Sequence, residues 1–328
     1  MNRWPARALA ALVFLLLLPQ RAPAPLIYTP GEGWRYEKFG GEGNWVRGRA
    51  QDQLEVALTA YEKGDYRLAL KASRRTVKQW PFSDYASQAQ YLVGRCYEAR
   101  NNDEKAFKAY QELLAKYPKL DRYDEVVLRQ FVIADKYLGG QRFRLWGLFP
   151  LYTSMDKTIK MYEQVIKNGP YSTVAPPAQL RIGTANEKRM AGSEKYADAA
   201  KAYERAADRY SDLPAGAEGM YRAGLAYQKQ TKRAEYDQSV AGQAIATFTD
   251  FSTLYPEDKR ASETQKIVDA LKTEQARGSF EIAKFYEKRR RWQGALIYYN
   301  EVLLRDPGSK YADDARRRID AIKKHTPK

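Results

Sequence analysis

The sequence predicts an all-α fold in which about six pairs of helices follow one another as repeats. Three observations predict it: a short pattern recurs six times, each copy has apolar residues at helical spacing, and each copy ends at a turn residue. A pattern that returns at similar intervals is typical of repeat architectures, in which each unit packs against its neighbours. The 328 residues, 44% of them hydrophobic, are ample for a continuous core.

The first 24 residues are expected to be a secretory signal peptide. Arg3 and Arg7 precede an apolar run over residues 8–18, and the small-residue stretch 22–24 follows that run. The run is shorter than the roughly 20 residues of a membrane-spanning helix, so a retained anchor is the weaker alternative. The sequence therefore predicts an exported protein, and its mature terminus stays open because Pro25 directly follows the small residues.

Residues 25–48 contain many Gly, Pro and aromatic residues and show no helical period. We expect this irregular segment to be a linker or docking tail. Two alternatives stay open for its aromatic residues: they fold back onto the first helices, or a partner captures the segment as a strand or hook.

Each repeat is defined by a small residue, an aromatic residue four positions later and a turn residue twelve positions later. Offsets of 0, 4 and 7 lie on one face of an α-helix, so each unit should contain an amphipathic helix that buries one stripe. Proline cannot continue that helix and marks its end. The pairs of small residue and turn residue are Ala69 with Pro81, Ala106 with Pro118, Thr158 with Pro170, Ala199 with Ser211, Ala244 with Pro256, and Ala295 with Pro307.

The fourth position is aromatic in five repeats and the seventh is apolar in five, with Ser73 and Thr76 of the first repeat as the exceptions. The aromatic residues are Tyr110, Tyr162, Tyr203, Phe248 and Tyr299, and the apolar residues are Leu113, Val165, Ala206, Phe251 and Val302. A second helical segment precedes each of these helices. The small residues Gly94 and Ala283 in such segments are expected to let the paired helices approach closely.

A helix pair with small residues at its crossing, aromatic residues in its groove and proline as its stop resembles the tetratricopeptide repeat, whose period is about 34 residues. Here successive key positions are 37, 52, 41, 45 and 51 residues apart, so the units are longer than that norm. We expect residues 49–328 to form one tetratricopeptide-repeat solenoid. Such solenoids bind extended peptides or partner helices on a concave surface lined mainly by the first helix of each pair.

The longest segment that the repeat does not require is an insertion at residues 139–155, which is rich in large apolar side chains. It is expected either to cap the helices or to expose a hook for a partner or a membrane surface. In the second alternative, Arg142, Trp146 and Phe149 are candidate partner-binding residues.

No motif for catalysis, cofactor binding or metal binding is found in the sequence. Cys96 is the only cysteine and His325 the only histidine, which excludes an intrachain disulfide, a thiolate metal cluster and most nucleophile-base pairs. We therefore predict a protein that is not an enzyme and has no cofactor. The net charge of +16 would suit several acidic partners, but basic and acidic residues are interleaved and no nucleic-acid motif is present, so nucleic acid is not an expected partner.

Segments near both ends resemble the BamD family, a tetratricopeptide component of outer-membrane β-barrel assembly in Gram-negative bacteria. The segments that carry the resemblance are Gly64 to Gln90 with its core Trp80-Pro81-Phe82-Ser83-Asp84-Tyr85, then Lys116-Tyr117-Pro118, Glu281 to Arg289, and Asp306 to Ala312. The likeness spans about residues 51–324 and is looser in the middle. It implies a periplasmic scaffold that holds the BamA pore-forming protein through its C-terminal repeats and receives unfolded barrel substrates in its N-terminal groove.

Members of that family carry a lipid on an N-terminal cysteine, and this sequence has no cysteine near residue 24. Membrane association would therefore depend on partners or on the aromatic tail. The repeat register predicts which residues of the first helices face the groove. They are Tyr61, Tyr91, Arg95 and Glu98 in the N-terminal part, and Arg277, Lys284 and Lys288 in the C-terminal part.

The predicted function is that of a periplasmic scaffold at the outer membrane that binds envelope proteins, most of all a BamA-like assembly protein and unfolded outer-membrane protein segments. Peripheral contact with the membrane stays open. The alternative is a periplasmic tetratricopeptide adaptor for cell division, secretion or polysaccharide export.

Overall fold

The computed structural model describes residues 26–29, 33–36, 45–145, 149–190, 194–231 and 238–325. The predicted signal peptide, residues 1–24, lies outside the described residues. The chain divides into two compact units, unit 1 with residues 1–121 and unit 2 with residues 122–328.

In its described residues, unit 1 contains a two-stranded hairpin and four helices. The strands β1 (Leu26–Thr29) and β2 (Gly33–Tyr36) are antiparallel and in register from Leu26 opposite Tyr36 to Thr29 opposite Gly33. The helices are α1 (Ala50–Glu62), α2 (Tyr66–Gln79), α3 (Ala86–Ala99) and α4 (Asp103–Lys116), and each packs against the next.

The hairpin differs from the irregular tail that we expected at residues 25–48. Its strands are only four residues long each, and a search for helical periods does not detect them. The rings of Tyr28 and Trp34 are in tilted contact, with their centres 5.2 Å apart, and are 56% and 67% exposed. Trp45, in contrast, lies under the ammonium of Lys71 on α2, 4.2 Å from its ring centre.

Unit 2 contains nine helices and a second hairpin in its described residues. The elements are α5 (Tyr123–Leu138), β3 (Phe143–Leu145), β4 (Phe149–Tyr152), α6 (Met155–Asn168), α7 (Ala175–Glu187), α8 (Lys195–Arg209), α9 (Pro214–Thr231), α10 (Gln238–Leu254), α11 (Ala261–Lys288), α12 (Trp292–Arg305) and α13 (Lys310–His325). Every helix packs against the next one in sequence. The described part of the chain is therefore essentially all-α, with six helix pairs from α1–α2 to α11–α12, followed by α13.

The stripe predicted from the repeat is buried at every position. In all six repeats, the residues at offsets 0, 4 and 7 are at most 1% exposed. Each second helix ends two residues before its turn residue, and these helices are α2, α4, α6, α8, α10 and α12. The periodicity therefore identified both the buried face and the end of each helix, and the predicted fold class is confirmed.

The first repeat buries hydroxyl groups where the others bury rings and aliphatic chains. Ser73 Oγ donates to the carbonyl of Ala69 at 2.8 Å, and Thr76 Oγ1 donates to that of Ala72 at 3.2 Å. Because a buried hydroxyl without a partner is costly, these bonds within α2 allow the polar residues to occupy the stripe.

The close approach predicted at Gly94 is confirmed, since a Cβ atom there would lie 2.2 Å from the buried ring of Tyr110. The same contact recurs where Gly183 faces Tyr203 and where Gly224 faces Phe248. Those two glycines precede their key residues by 16 and 20 positions rather than by 12, so the fixed spacing did not identify them.

The helix α11 belongs to two clusters of the core. Its first half contributes Val268 and Leu271 to a cluster with Phe248, and its second half packs Phe280 against Tyr299. None of the helices in the ranges given above is long and apolar enough to cross a membrane.

Candidate functional site

The four residues predicted for the N-terminal groove form one cluster on α1 and α3. The guanidinium carbon of Arg95 lies 5.7 Å from the ring centre of Tyr61 and 5.8 Å from that of Tyr91. Arg95 Nη1 donates to the Tyr91 hydroxyl at 3.1 Å, and its Nε lies 3.6 Å from a carboxylate oxygen of Glu98. Because α1 and α3 begin consecutive pairs, this Tyr61–Arg95 cluster joins two repeats through side chains.

The four side chains differ in what a partner could reach. Tyr91 is only 6% exposed, with its ring 6.1 Å from that of Tyr110, so it supports Arg95 from below. Tyr61 is half-buried, and burial raises the pKa of its hydroxyl although the charge of Arg95 acts in the opposite direction. Arg95 keeps about a third of its side chain exposed. An aromatic ring beside a guanidinium can bind carboxylates, carbonyl groups and other aromatic side chains.

The three residues predicted for the C-terminal part share one exposed side of α11. Arg277, Lys284 and Lys288 are separated by seven and four positions, which places them on one helix face. Two of them are paired one turn away: Arg277 Nε donates to Glu274 at 3.0 Å, and Lys284 lies 3.1 Å from Glu281. These ion pairs partly neutralise the positive charge of the row formed by Arg277, Lys284 and Lys288, and the three side chains stay exposed.

The insertion at residues 139–155 contains the hairpin β3–β4, which has one packed and one exposed side. Phe143 is 3% exposed and stacks on Tyr137 of α5 with ring centres 4.2 Å apart. Phe149 and Leu151 of β4 are 68% and 59% exposed. Arg142 is exposed beside β3, and Trp146 lies outside the described residues.

Lys157 holds the hairpin to the start of α6. Its ammonium lies 5.0 Å from the ring centre of Phe143 and 4.9 Å from that of Tyr152, and it donates to the Tyr152 hydroxyl. The base of the hairpin thus packs on helices of unit 2, and two large apolar side chains remain accessible on β4.

A charged network around Arg260 was not identified from the sequence. Arg260 forms a bidentate pair with Asp258, with N–O distances of 2.7 and 2.9 Å, and contacts Glu218 of α9 at 2.6 Å. Its guanidinium also lies 4.5 Å from the ring centre of Tyr221. Hydrogen bonds from Arg260 lower the pKa of Asp258 to about 2, with burial opposing the change. Glu218 is 42 positions from Arg260, which explains why sequence spacing gave no signal.

The thiol of Cys96 is buried and unreactive. Cys96 is fully buried, and burial raises its pKa to about 12, so it stays protonated near neutral pH. Among the residues that the structure describes, no group of three or more His, Cys, Asp and Glu side chains could hold a metal ion.

Several solved structures of tetratricopeptide proteins are similar to this chain at low identity. The C-terminal part of a repeat protein from Cytophaga hutchinsonii is 17% identical, with a TM-score of 0.36, over 81% of this chain and 87% of its own. A tetratricopeptide repeat protein from Parabacteroides merdae is 11% identical, with a TM-score of 0.32, over 83% and 98% of the two chains. None of the curated proteins compared with the chain matches it.

Two family models match the chain, one in each unit. Residues 54–121, from α1 to the end of unit 1, match a tetratricopeptide-repeat model. Residues 152–306, which contain α6 to α12, match the model described as YfiO, outer membrane lipoprotein. The chain is therefore similar to tetratricopeptide-repeat proteins in unit 1 and to the BamD-like YfiO family in the larger part of unit 2.

Proposed function

We propose that the protein is a scaffold without catalytic activity that binds envelope proteins during the assembly and insertion of outer-membrane β-barrels. The observation that carries the proposal is the match of residues 152–306 to an outer-membrane lipoprotein family, on a fold built from helix pairs. Tetratricopeptide folds offer helix faces for binding peptides and proteins. The periplasmic face of the outer membrane is the location that fits this role.

In this proposal, the Tyr61–Arg95 cluster of unit 1 receives unfolded segments of barrel proteins. Strands of such barrels alternate apolar with polar side chains and carry aromatic residues at both membrane interfaces. Tyr61 offers a ring edge to these aromatic residues, and Arg95 donates hydrogen bonds to the carbonyl groups of an extended chain. Glu98 and Tyr91 keep the guanidinium of Arg95 in place.

Unit 2 would hold the BamA-like partner. Phe149 and Leu151 are neighbours on one exposed side of β4, with Arg142 nearby in sequence, and large apolar groups beside a cation favour a protein surface or an anionic membrane surface. The row Arg277, Lys284 and Lys288 on α11 offers a second, polar contact.

A binding experiment with two substitutions tests the site in unit 1. Arg95→Ala with Tyr61→Ser should weaken the binding of a biotinylated peptide from the last strand of an outer-membrane barrel at least about tenfold, since a hydrogen bond to a charged group contributes ~1.5–3 kcal/mol. Tyr91 is retained because its replacement by alanine would leave a cavity beside Tyr110 and cost about 3–5 kcal/mol of stability.

The control is Arg100→Ala, which removes an exposed arginine from the end of the same helix and should leave peptide affinity unchanged. Equal affinity of the double variant and the control would contradict the assignment of the site. For the partner, an affinity pull-down from envelope extract should recover a BamA-like protein. Recovery of division or export components in its place would favour the adaptor alternative.

A further inference from the structure

A basic groove of about 510 Å³ lies in unit 1 between α2 and α4, with α3 as its floor. Arg74 and Lys78 line it from α2, and Lys105, Lys108 and Lys116 line it from α4. None of these five cations forms an ion pair with any part of the chain that the structure describes. Like charges around one recess repel each other, and an anionic group bound between them relieves that repulsion.

The floor of the groove is formed by Gln90, Val93 and Tyr97 of α3. Tyr97 is 6% exposed, and its ring centre lies 5.6 Å from the guanidinium of Arg74 and 5.9 Å from the ammonium of Lys105. Val93 lies on the same side of α3. Glu112, the acidic residue of the lining, accepts a long hydrogen bond of 3.5 Å from Gln90, so the titratable side chains of the groove sum to +4.

The same groove recurs in unit 2 between α6 and α8, with α7 as its floor and a volume of about 340 Å³. One buried hydrogen bond occurs at the same place in both grooves. Gln90 Nε2 donates to the carbonyl of Ala109 at 3.0 Å, and Gln179 Nε2 donates to that of Ala202 at 3.0 Å. Both carbonyls lie three residues after the key alanine of their repeat, so the grooves can be compared position by position.

The comparison shows that the fold does not require a cation at two of the five basic positions. Five residues after the key position, unit 1 has Arg74 and unit 2 has Glu163. One residue before the key position, unit 1 has Lys105 and unit 2 has Asp198. Arg74 and Lys105 are therefore not required for helix packing, since unit 2 has acids at both positions, whereas the positions of Lys78, Lys108 and Lys116 have Lys167, Lys201 and Arg209 in unit 2.

We propose that the groove lined by Arg74, Lys78, Lys105, Lys108 and Lys116 binds an acidic, extended segment of a partner protein. This site is separate from the Tyr61–Arg95 cluster: the residues that α3 contributes to the two sites point in directions roughly 130° apart around its axis. It does not depend on what binds at that cluster or at unit 2.

An acidic peptide suits the groove better than a nucleic acid or a membrane does. Sequence-tolerant binding of single-stranded nucleic acid uses aromatic rings that stack on bases, whereas Tyr97 is buried and already faces Arg74 and Lys105. A membrane surface is flat and meets protruding cations, whereas here α2 and α4 form the walls of a recess. Carboxylates on an extended chain can enter such a recess one after another.

The test uses a fluorescein-labelled peptide of twelve residues with alternating Glu and Ser, and a second peptide with Lys in place of Glu. The full chain should bind the acidic peptide with an affinity that falls as salt is added, and should not bind the basic one. Arg74→Glu with Lys105→Asp should lower the affinity for the acidic peptide at least about tenfold, because two attractive contacts become repulsive. Both substituted charges already occur at the matching positions of unit 2.

The matched control is Lys63→Glu with Arg67→Asp, which makes the same change of net charge at exposed positions of unit 1 outside the groove. It should change the affinity by less than about threefold. Because a charge reversal can disturb folding, the neutral pair Arg74→Gln with Lys105→Gln is measured as well, and it should weaken binding by an intermediate factor.

Four results would overturn the proposal. They are no binding of the acidic peptide at low salt, equal affinity of the groove variants and the unmodified chain, an equal loss in the control variant, and groove-dependent binding of phosphatidylglycerol vesicles or an oligothymidylate without binding of the peptide.

Discussion

Replacement of Gly183 by alanine should destabilise unit 2, although alanine is the better helix former. A Cβ atom at Gly183 would lie 2.3 Å from the Tyr203 ring, well inside the 3.4 Å at which ordinary contact begins. That ring is 1% exposed, and its hydroxyl lies 3.2 Å from Oγ1 of Thr184, so it has no free space to enter. Overpacking of this severity costs about 3 kcal/mol, and the helix propensity of alanine returns about 1 kcal/mol. The expected net loss is therefore about 2 kcal/mol.

Thermal unfolding followed by circular dichroism measures this change. In a unit of this size, 1 kcal/mol corresponds to a shift in Tm of about 2–4 °C, so Gly183→Ala should lower Tm by roughly 4–8 °C. Gly242 in α10 is the control, because a Cβ atom there meets nothing within 4 Å. Gly242→Ala should stabilise the same unit by about 0.5–1 kcal/mol.

A double-mutant cycle isolates the contact. In a Tyr203→Leu background, the Gly183→Ala change should no longer destabilise unit 2, which gives a coupling energy of about 3 kcal/mol. The reasoning would be refuted if Gly183→Ala raised Tm as Gly242→Ala does, or if its effect were the same in both backgrounds.

Two further predictions follow from the pKa values. The carboxyl of Asp258 has a folded-state pKa of about 2 against an ordinary 3.8, so its pair with Arg260 stabilises unit 2 fully above about pH 4, and this contribution is lost as the pH falls from about 4 to about 2. After allowance for solvent screening, Asp258→Asn should lower the free energy of unfolding by about 1 kcal/mol at neutral pH. Measured by urea unfolding, this difference from the unmodified chain should vanish by about pH 2. A difference that stays constant across that pH range would contradict the prediction. Cys96 is fully buried, and burial raises its pKa to about 12. The thiol reagent DTNB, dithiobis(nitrobenzoic acid), should therefore react with Cys96 only as unit 1 opens or unfolds in urea. Rapid labelling of the native protein would contradict this prediction, because it would show that the thiol is accessible.

The helical part of the fold was predictable because its signals are local. The residues at offsets 0, 4 and 7 define one helix face, and a proline or serine twelve positions after the first residue follows each helix end. Even the first repeat kept the pattern with Ser73 and Thr76, whose hydroxyls bond to carbonyl groups of their own helix. The residues Tyr61, Tyr91, Arg95 and Glu98 were grouped by the same register, and the structure brings them into contact. Their role in binding stays a prediction.

Two of the features that the sequence did not reveal depend on residues far apart along the chain. Arg260 meets Glu218 across 42 positions, and Gly183 meets Tyr203 across a connection of variable length. The hairpins β1–β2 and β3–β4 are shorter than the windows in which strand alternation is recognisable.

The sequence by itself determined that this protein is built from helix pairs, which face of each second helix is buried and where that helix ends. Helical periodicity and proline chemistry act within a few residues, so no long-range information was needed. Only the tertiary structure decided what the helix surfaces offer to a partner. It buried Tyr91 beneath Arg95 and left Phe149 exposed on a hairpin whose base is packed. It also gathered five cations from α2 and α4 around one groove, because the charge of a surface depends on which helices become neighbours.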